Sequence, residues 1–126
     1  MTSHSELRKY NPLYQALEFR TLMGQEIGTS DDTVIARQLR LITEEYKEFN
    51  DATDNEPEAN QLKELADLVY VAFQYAVARG WELDEALLRV HQSNLSKLVN
   101  GMPLRREDGK VLKGPNYKPP SPEDLV

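Results

Sequence analysis

Apolar residues recur at helical spacing through the first hundred positions of the chain. Leu13, Leu17 and the run Phe19 to Leu22 give an apolar face to a segment from Pro12 to Met23, and Gly24 ends it. Ser30 is then a suitable N-cap, with Asp31 and Asp32 at the positive end of the next helix. In that second helix Ile35, Leu39, Ile42, Tyr46 and Phe49 follow steps of four and three, the stripe of a core-facing amphipathic helix. The pattern fades between Asp51 and Glu56, and Pro57 suits the first turn of a third helix. Leu62, Leu65, Leu68, Val69, Ala72, Phe73 and Ala76 carry this helix until Gly80. It is apolar on more than one face, which predicts a central helix packed on several neighbours. A fourth helix starts near Asp84 and carries Ala86, Leu87, Val90, Leu95 and Leu98. No alternating strand pattern is present. The expected fold is all-α, a four-helix-bundle-like body over about residues 10–100 with a loop-rich tail from Gly101 to Val126.

Composition narrows the chemistry. With 126 residues, the chain is expected to be one domain, 1–126. Its net charge of -6 argues against polymeric nucleic acid as a partner, because phosphate backbones call for a basic surface. The absence of Cys removes disulfides, thiolate zinc sites, iron–sulfur clusters and Cys nucleophiles together. Two His leave little for an imidazole-rich zinc site. No apolar run has the length of a membrane span. The opening MTSHSELRKY is polar and has no signal-peptide core, so a cytoplasmic location is expected.

The candidate chemistry lies on helices two and three. Helix two carries Glu44, Glu45 and Glu48, and helix three carries Glu64 and Asp67. A three-residue step leaves two helical side chains on one face, so Glu45 pairs with Glu48 and Glu64 with Asp67. Asp67 is the only charged residue between Leu65 and Val77, and a carboxylate inside a packed helix needs a partner or a metal. Glu45 lies on a stripe with Gln38 and Glu48, beside the apolar one. Two acidic pairs facing across a helix interface repel, and a divalent cation removes the repulsion. All-oxygen ligation selects Mg²⁺ or Mn²⁺ over zinc. A solvated acidic face is the plainer alternative.

These residues resemble a known signature. Glu44-Glu45-x-x-Glu48, followed after fifteen residues by Glu64-x-x-Asp67, resembles the E-E-x-x-E…E-x-x-D motif of the all-α nucleoside triphosphate pyrophosphohydrolases, the MazG-like superfamily. RQLRLITEEYKEF is similar to the second helix of its small single-domain members, and HQSNLSKL with DGKVLKGPNYKPP to their fourth helix and tail. The likeness runs from about Phe19 to Pro120. It implies Mg²⁺-dependent cleavage between the α- and β-phosphates of a nucleoside triphosphate, giving a monophosphate and pyrophosphate. It implies Glu45, Glu48, Glu64 and Asp67 as metal ligands, with Glu44 as a further ligand or the residue that positions the attacking water. It also implies a homo-oligomer, a dimer or a tetramer. The apolar faces of helix three independently call for a covering partner.

Asn94 and Lys97, three apart, would share a face of helix four and offer an amide and a point charge to phosphate. The tail holds a concentration of Lys and Arg in an acidic protein, interspersed with Gly109, Gly114 and Tyr117. It is expected to act as a flap on the triphosphate, with Lys110, Lys113 and Tyr117 as its contacts. Phe19 and Trp81 are expected in core packing, and His91 as a helix-packing residue. Two other readings stand beside the leading one. One is phosphoribosyl-ATP pyrophosphohydrolase, a step of histidine biosynthesis. The other is a non-enzymatic helical dimerisation module.

Overall fold

The computed structural model describes residues 9–126, and those residues form four α-helices and no strand. Most of the polar opening stretch, residues 1–8, lies outside the described residues. The first helix, α1, spans Pro12–Leu22. Asn11 Oδ1 accepts the Tyr14 N–H at 3.1 Å, and Pro12 sits where its missing N–H has no helical partner to lose. The second, α2, spans Asp32–Asn55. Its N-cap is Asp31, not the expected Ser30: Asp31 Oδ1 accepts the N–H groups of Thr33 (2.8 Å) and Val34 (3.2 Å), and a carboxylate also matches the positive helix end. The third, α3, spans Glu58–Arg79 behind Pro57 and ends at Gly80, whose φ of 76° is left-handed. The fourth, α4, spans Leu83–Leu95 and stops short of the expected Leu98. None of these helices is long and apolar enough to cross a membrane.

The chain divides into two compact units, one through Glu82 and one from Leu83. In the first, α2 and α3 form an antiparallel hairpin around Glu56 and Pro57, and α1 packs on α3. Phe19 meets Tyr70 edge-on with ring centroids 5.9 Å apart, as expected of a packing residue. Trp81 meets Tyr75 in the same manner at 5.6 Å, and the Arg79 guanidinium lies over its ring. The loop between α1 and α2 clips onto the end of α3. Gly28 N–H donates to Val77 O (3.0 Å) and Thr29 N–H to Ala78 O (2.6 Å). A Cβ on Gly80 would stand 3.2 Å from Gly28 Cα, so the two glycines permit the close approach.

The buried side of α2 departs from the expected one. Val34, Gln38 and Ala52 are buried, while Leu39 and Tyr46 of the expected core stripe are 54% and 59% exposed. Ile35, Ile42 and Phe49 are half-buried. The inward seam is the apolar stripe moved back by one residue, about 100° around the helix. That seam carries Gln38, Glu45 and Glu48, so α2 turns its polar stripe toward α3. On α3 the residues from Phe73 to Ala78, Tyr75 excepted, are buried, whereas Leu62, Leu65 and Val69 near its start are exposed.

In the second unit the tail is laced to α4. Ser93 Oγ donates to Lys118 O (2.7 Å), and Lys118 N–H donates to Ser96 Oγ (2.9 Å). Arg89 donates to Ser121 O (2.8 Å) and grips Asp124 with both guanidinium arms. A single 3₁₀ turn, Glu123–Leu125, follows and buries Leu125. Isolated antiparallel bridges pair Val99 with Met102 and Arg105 with Val111. Gly114 lies against the turn that follows α4. A Cβ there would come within 2.9 Å of Lys97 O and 2.6 Å of Val99 Cγ2.

Candidate metal centre

The hairpin sets the register of the acidic residues. Glu48 and Glu64 each stand eight positions from Glu56, Glu45 and Asp67 each eleven, and Gln38 and Gln74 each eighteen. Residues equally far from a tight turn lie opposite one another in an antiparallel helix pair. The three-residue steps Glu45–Glu48 and Glu64–Asp67 therefore meet as two facing pairs.

Glu45, Glu48 and Glu64 each present a carboxylate oxygen, and the three oxygens lie within 4.8 Å of one another. Glu48 is exposed, and Glu45 and Glu64 are half-buried. Glu45 Oε2 and Glu64 Oε2 are buried with no hydrogen-bond partner. Buried carboxylate oxygens in this condition are costly. Burial raises the Glu45 carboxyl above its ordinary pKa, and the charges of Glu48, Asp67 and Glu64 raise it further. A hard divalent cation fits this donor set, which is all carboxylate oxygen and leaves two oxygens wanting a partner.

Asp67 is near enough for its charge to act on Glu45, but it is not one of the three converging oxygens. Its Oδ2 accepts from the Lys63 ammonium at 2.8 Å, and Lys63 also lies 3.4 Å from Glu64 Oε1. These two carboxylates hold the ammonium above the usual lysine pKa, with Asp67 the larger influence. Glu44 points to the exposed side and is outside the trio. Sequence reasoning passed over Lys63. Its signal was a cation one and four residues ahead of two predicted ligands.

Two turns along the same seam, Gln38 and Gln74 are both 4% exposed, and Arg20 of α1 is 1% exposed. Arg20 donates to Gln74 Oε1 (3.3 Å) and to Glu26 O (2.6 Å). Gln38 Oε1, Gln74 Nε2 and Arg20 Nη2 have no hydrogen-bond partner. This buried polar group is the second feature the sequence reading missed.

The expected phosphate contacts lie in the second unit. Asn94 is exposed on the last turn of α4. Lys97 is not on the helix as expected. The helix ends at Leu95, and Lys97 N–H donates to Asn94 O (3.2 Å) in the turn that follows. His91 is exposed, not packed as expected. Lys110 and Lys113 have exposed side chains. The Lys113 ammonium stands 4.8 Å from the centre of the half-buried Tyr117 ring, and Lys110 N–H donates to Asp108 Oδ1 (3.1 Å).

The family model described as phosphoribosyl-ATP pyrophosphohydrolase matches residues 16–94, from α1 through almost all of α4. No curated protein matches the chain.

Proposed function

The chain belongs to the phosphoribosyl-ATP pyrophosphohydrolase family, and from that premise we propose a divalent-metal-dependent hydrolase that splits the α–β anhydride of nucleoside triphosphates. Membership makes it a pyrophosphohydrolase, a hydrolase of phosphoric anhydrides acting on a nucleotide. The observation that carries the metal-dependent reading is the convergence of Glu45, Glu48 and Glu64, with buried unpartnered oxygens on Glu45 and Glu64.

Glu45, Glu48 and Glu64 would hold the cation, preferably Mg²⁺ and also Mn²⁺, and Asp67 would complete the set. Bound there, such an ion neutralises charge on phosphate oxygens and lowers the pKa of a coordinated water. Glu44, on the exposed border of the cluster, orients the attacking water. Asn94, Lys97, Lys110, Lys113 and Tyr117 contact the phosphates, the lysines as point charges and the amide and phenol as hydrogen-bond donors. No side chain acts as a covalent nucleophile in this scheme.

The same protein is expected to be a homo-oligomer. Leu39 and Tyr46 on α2 and Leu62 and Val69 on α3 are exposed apolar residues of the first unit, and a second copy of the chain is the occupant proposed to cover them.

Phosphoribosyl-ATP as substrate is the second reading, favoured by the description of the matching family. The doubled Glu44-Glu45 and the long tail favour simple nucleoside triphosphates, the pool-cleaning activity. The deciding experiment incubates the protein and Mg²⁺ with canonical and modified nucleoside triphosphates and with phosphoribosyl-ATP, and quantifies pyrophosphate. Pyrophosphate from several triphosphates supports the main reading. Release from phosphoribosyl-ATP alone transfers the assignment to the second. A protein that releases none with any metal is a helical module and not a working enzyme.

A further inference from the structure

Lys63 precedes Glu64 by one residue and Asp67 by four on α3, yet its ammonium reaches both carboxylates. Adjacent helical residues point about 100° apart and do not ordinarily pair with each other. A lysine placed N-terminal to its acid at this spacing is also the weaker orientation for a helical ion pair. The side chain is 61% exposed, where such pairs are loosely held. What holds the ammonium is the pair of carboxylates it bridges, Asp67 at 2.8 Å and Glu64 at 3.4 Å. Among the described residues no other Lys or Arg is ion-paired to Glu45, Glu48, Glu64 or Asp67.

A cation gathered by the cluster needs the same oxygens. Asp67 Oδ2 is the atom Lys63 holds at the shorter distance, and Asp67 is the predicted ligand that stands outside the converging trio. We propose that Lys63 is a tethered competitor for the metal: an ion that draws in Asp67 displaces the ammonium, which then meets an anionic oxygen of the substrate. The inference rests on the metal-dependent reading given above. It adds an exchange of partners within that site. A divalent ion leaves the cluster less negative than one ammonium does, so the pull on Lys63 weakens as the ion enters. The incoming polyphosphate supplies a new negative partner within the sweep of a four-carbon stem. Lys63 is thereby a substrate-positioning residue whose availability depends on metal.

The test is calorimetric titration with Mn²⁺ alone at fixed ionic strength, followed by steady-state kinetics. The proteins are wild type, Lys63→Met, Lys63→Arg and Lys47→Met. Lys47 is the charge-matched control, since it neighbours Glu48 on α2 and pairs with none of the four carboxylates. Lys63→Met is expected to bind Mn²⁺ about three- to tenfold more tightly than wild type. Lys47→Met should stay within about twofold of wild type, the screened effect of one exposed, unpaired charge. In turnover, Lys63→Met should raise KM for the triphosphate by about tenfold with a smaller change in kcat, and Lys63→Arg should restore KM. Wild type that binds Mn²⁺, with Lys63→Met no tighter than wild type or Lys47→Met, overturns the competitor role and leaves the metal reading standing. Wild type that binds no Mn²⁺ overturns the metal reading itself, and Lys63 with it.

Discussion

Glu45 and Asp67 stand eleven positions to either side of Glu56 and act on each other across the α2–α3 hairpin, where the Asp67 charge helps raise the Glu45 carboxyl. Two carboxylates set against each other destabilise the protein unless a cation joins them. Mg²⁺ is therefore expected to raise the melting temperature by mass action. Asp67→Asn and Glu48→Gln should each reduce that rise, and Asp67→Asn should abolish turnover. Thermal melts over a Mg²⁺ series check this, and a metal response unchanged in both variants would remove the four carboxylates from the site.

Lys97 and Lys113 are assigned to phosphate and not to the ion. Lys97→Ala and Lys113→Ala should each lower kcat/KM by about ten- to a hundredfold, the loss of one charge-assisted contact. The Mg²⁺-induced thermal shift should remain as in wild type. Wild-type rates in both variants would reduce the tail to a structural appendage.

The exposed stripe on α2 predicts self-association. Leu39 and Tyr46 are the large apolar residues of that stripe with the greatest exposure. Light scattering at tens of micromolar should report a dimer or tetramer, and the double substitution Leu39→Lys with Tyr46→Lys should shift it to monomer. A monomeric wild type at that concentration contradicts the expectation.

The C-terminal latch carries its own pH dependence. Arg89 holds the Asp124 carboxyl below its ordinary value, through their side-chain hydrogen bonds first. A carboxylate depressed in the folded state stabilises that state above its unfolded pKa, and the contribution is lost as pH falls through the folded value. The unfolded aspartate value is about 3.9, so the latch should loosen from roughly pH 4 downward. Pepsin cleavage of the tail is expected to accelerate over that range in wild type. Asp124→Asn should flatten that pH dependence, because the charge of the pair is already gone while the Ser93, Ser96 and Ser121 bonds remain.

Gly114 offers a test of how firmly the tail is seated. A methyl group at this position meets the Lys97 carbonyl and the Val99 side chain at distances that real contacts do not sustain. Gly114→Ala should destabilise the second unit by about 1–3 kcal/mol. Faster proteolysis near the tail, with the Mg²⁺ response unaltered, is the expected reading.

Helix existence and type were legible because apolar residues at steps of three and four have no other regular explanation. Gly80 marked the end of α3 by the same local logic, since its left-handed φ suits glycine best. The facing of α2 was not legible. The apolar stripe of Ile35, Leu39, Ile42, Tyr46 and Phe49 is the more hydrophobic, and periodicity alone assigns it to the core. The stripe beside it turns inward because its polar groups have counterparts on α3: Gln38 opposite Gln74, Glu45 opposite Asp67, Glu48 opposite Glu64. Hydropathy reports how apolar a face is and not which neighbour it meets. Lys97 was misplaced for a related reason, since helix termini depend on capping competition that Asn94 to Leu98 do not advertise. The acidic signature itself was legible because its two three-residue steps are measured along single helices.

The two-residue link at Glu56 and Pro57 also governs how tightly the cluster can grip. Sliding α3 by two turns against α2 would set Asp67 against Gln38 and Glu45 against Asn60, a pairing with less repulsion. Electrostatics alone therefore favours the slipped arrangement, and the short link forbids it. Strain among the carboxylates is thus retained by the turn and given up only to a cation, so ligand strength is set in part by a residue that touches no ligand. Loosening Pro57 would soften the grip of the site from seven positions away, as slack at a hinge weakens the jaws it holds.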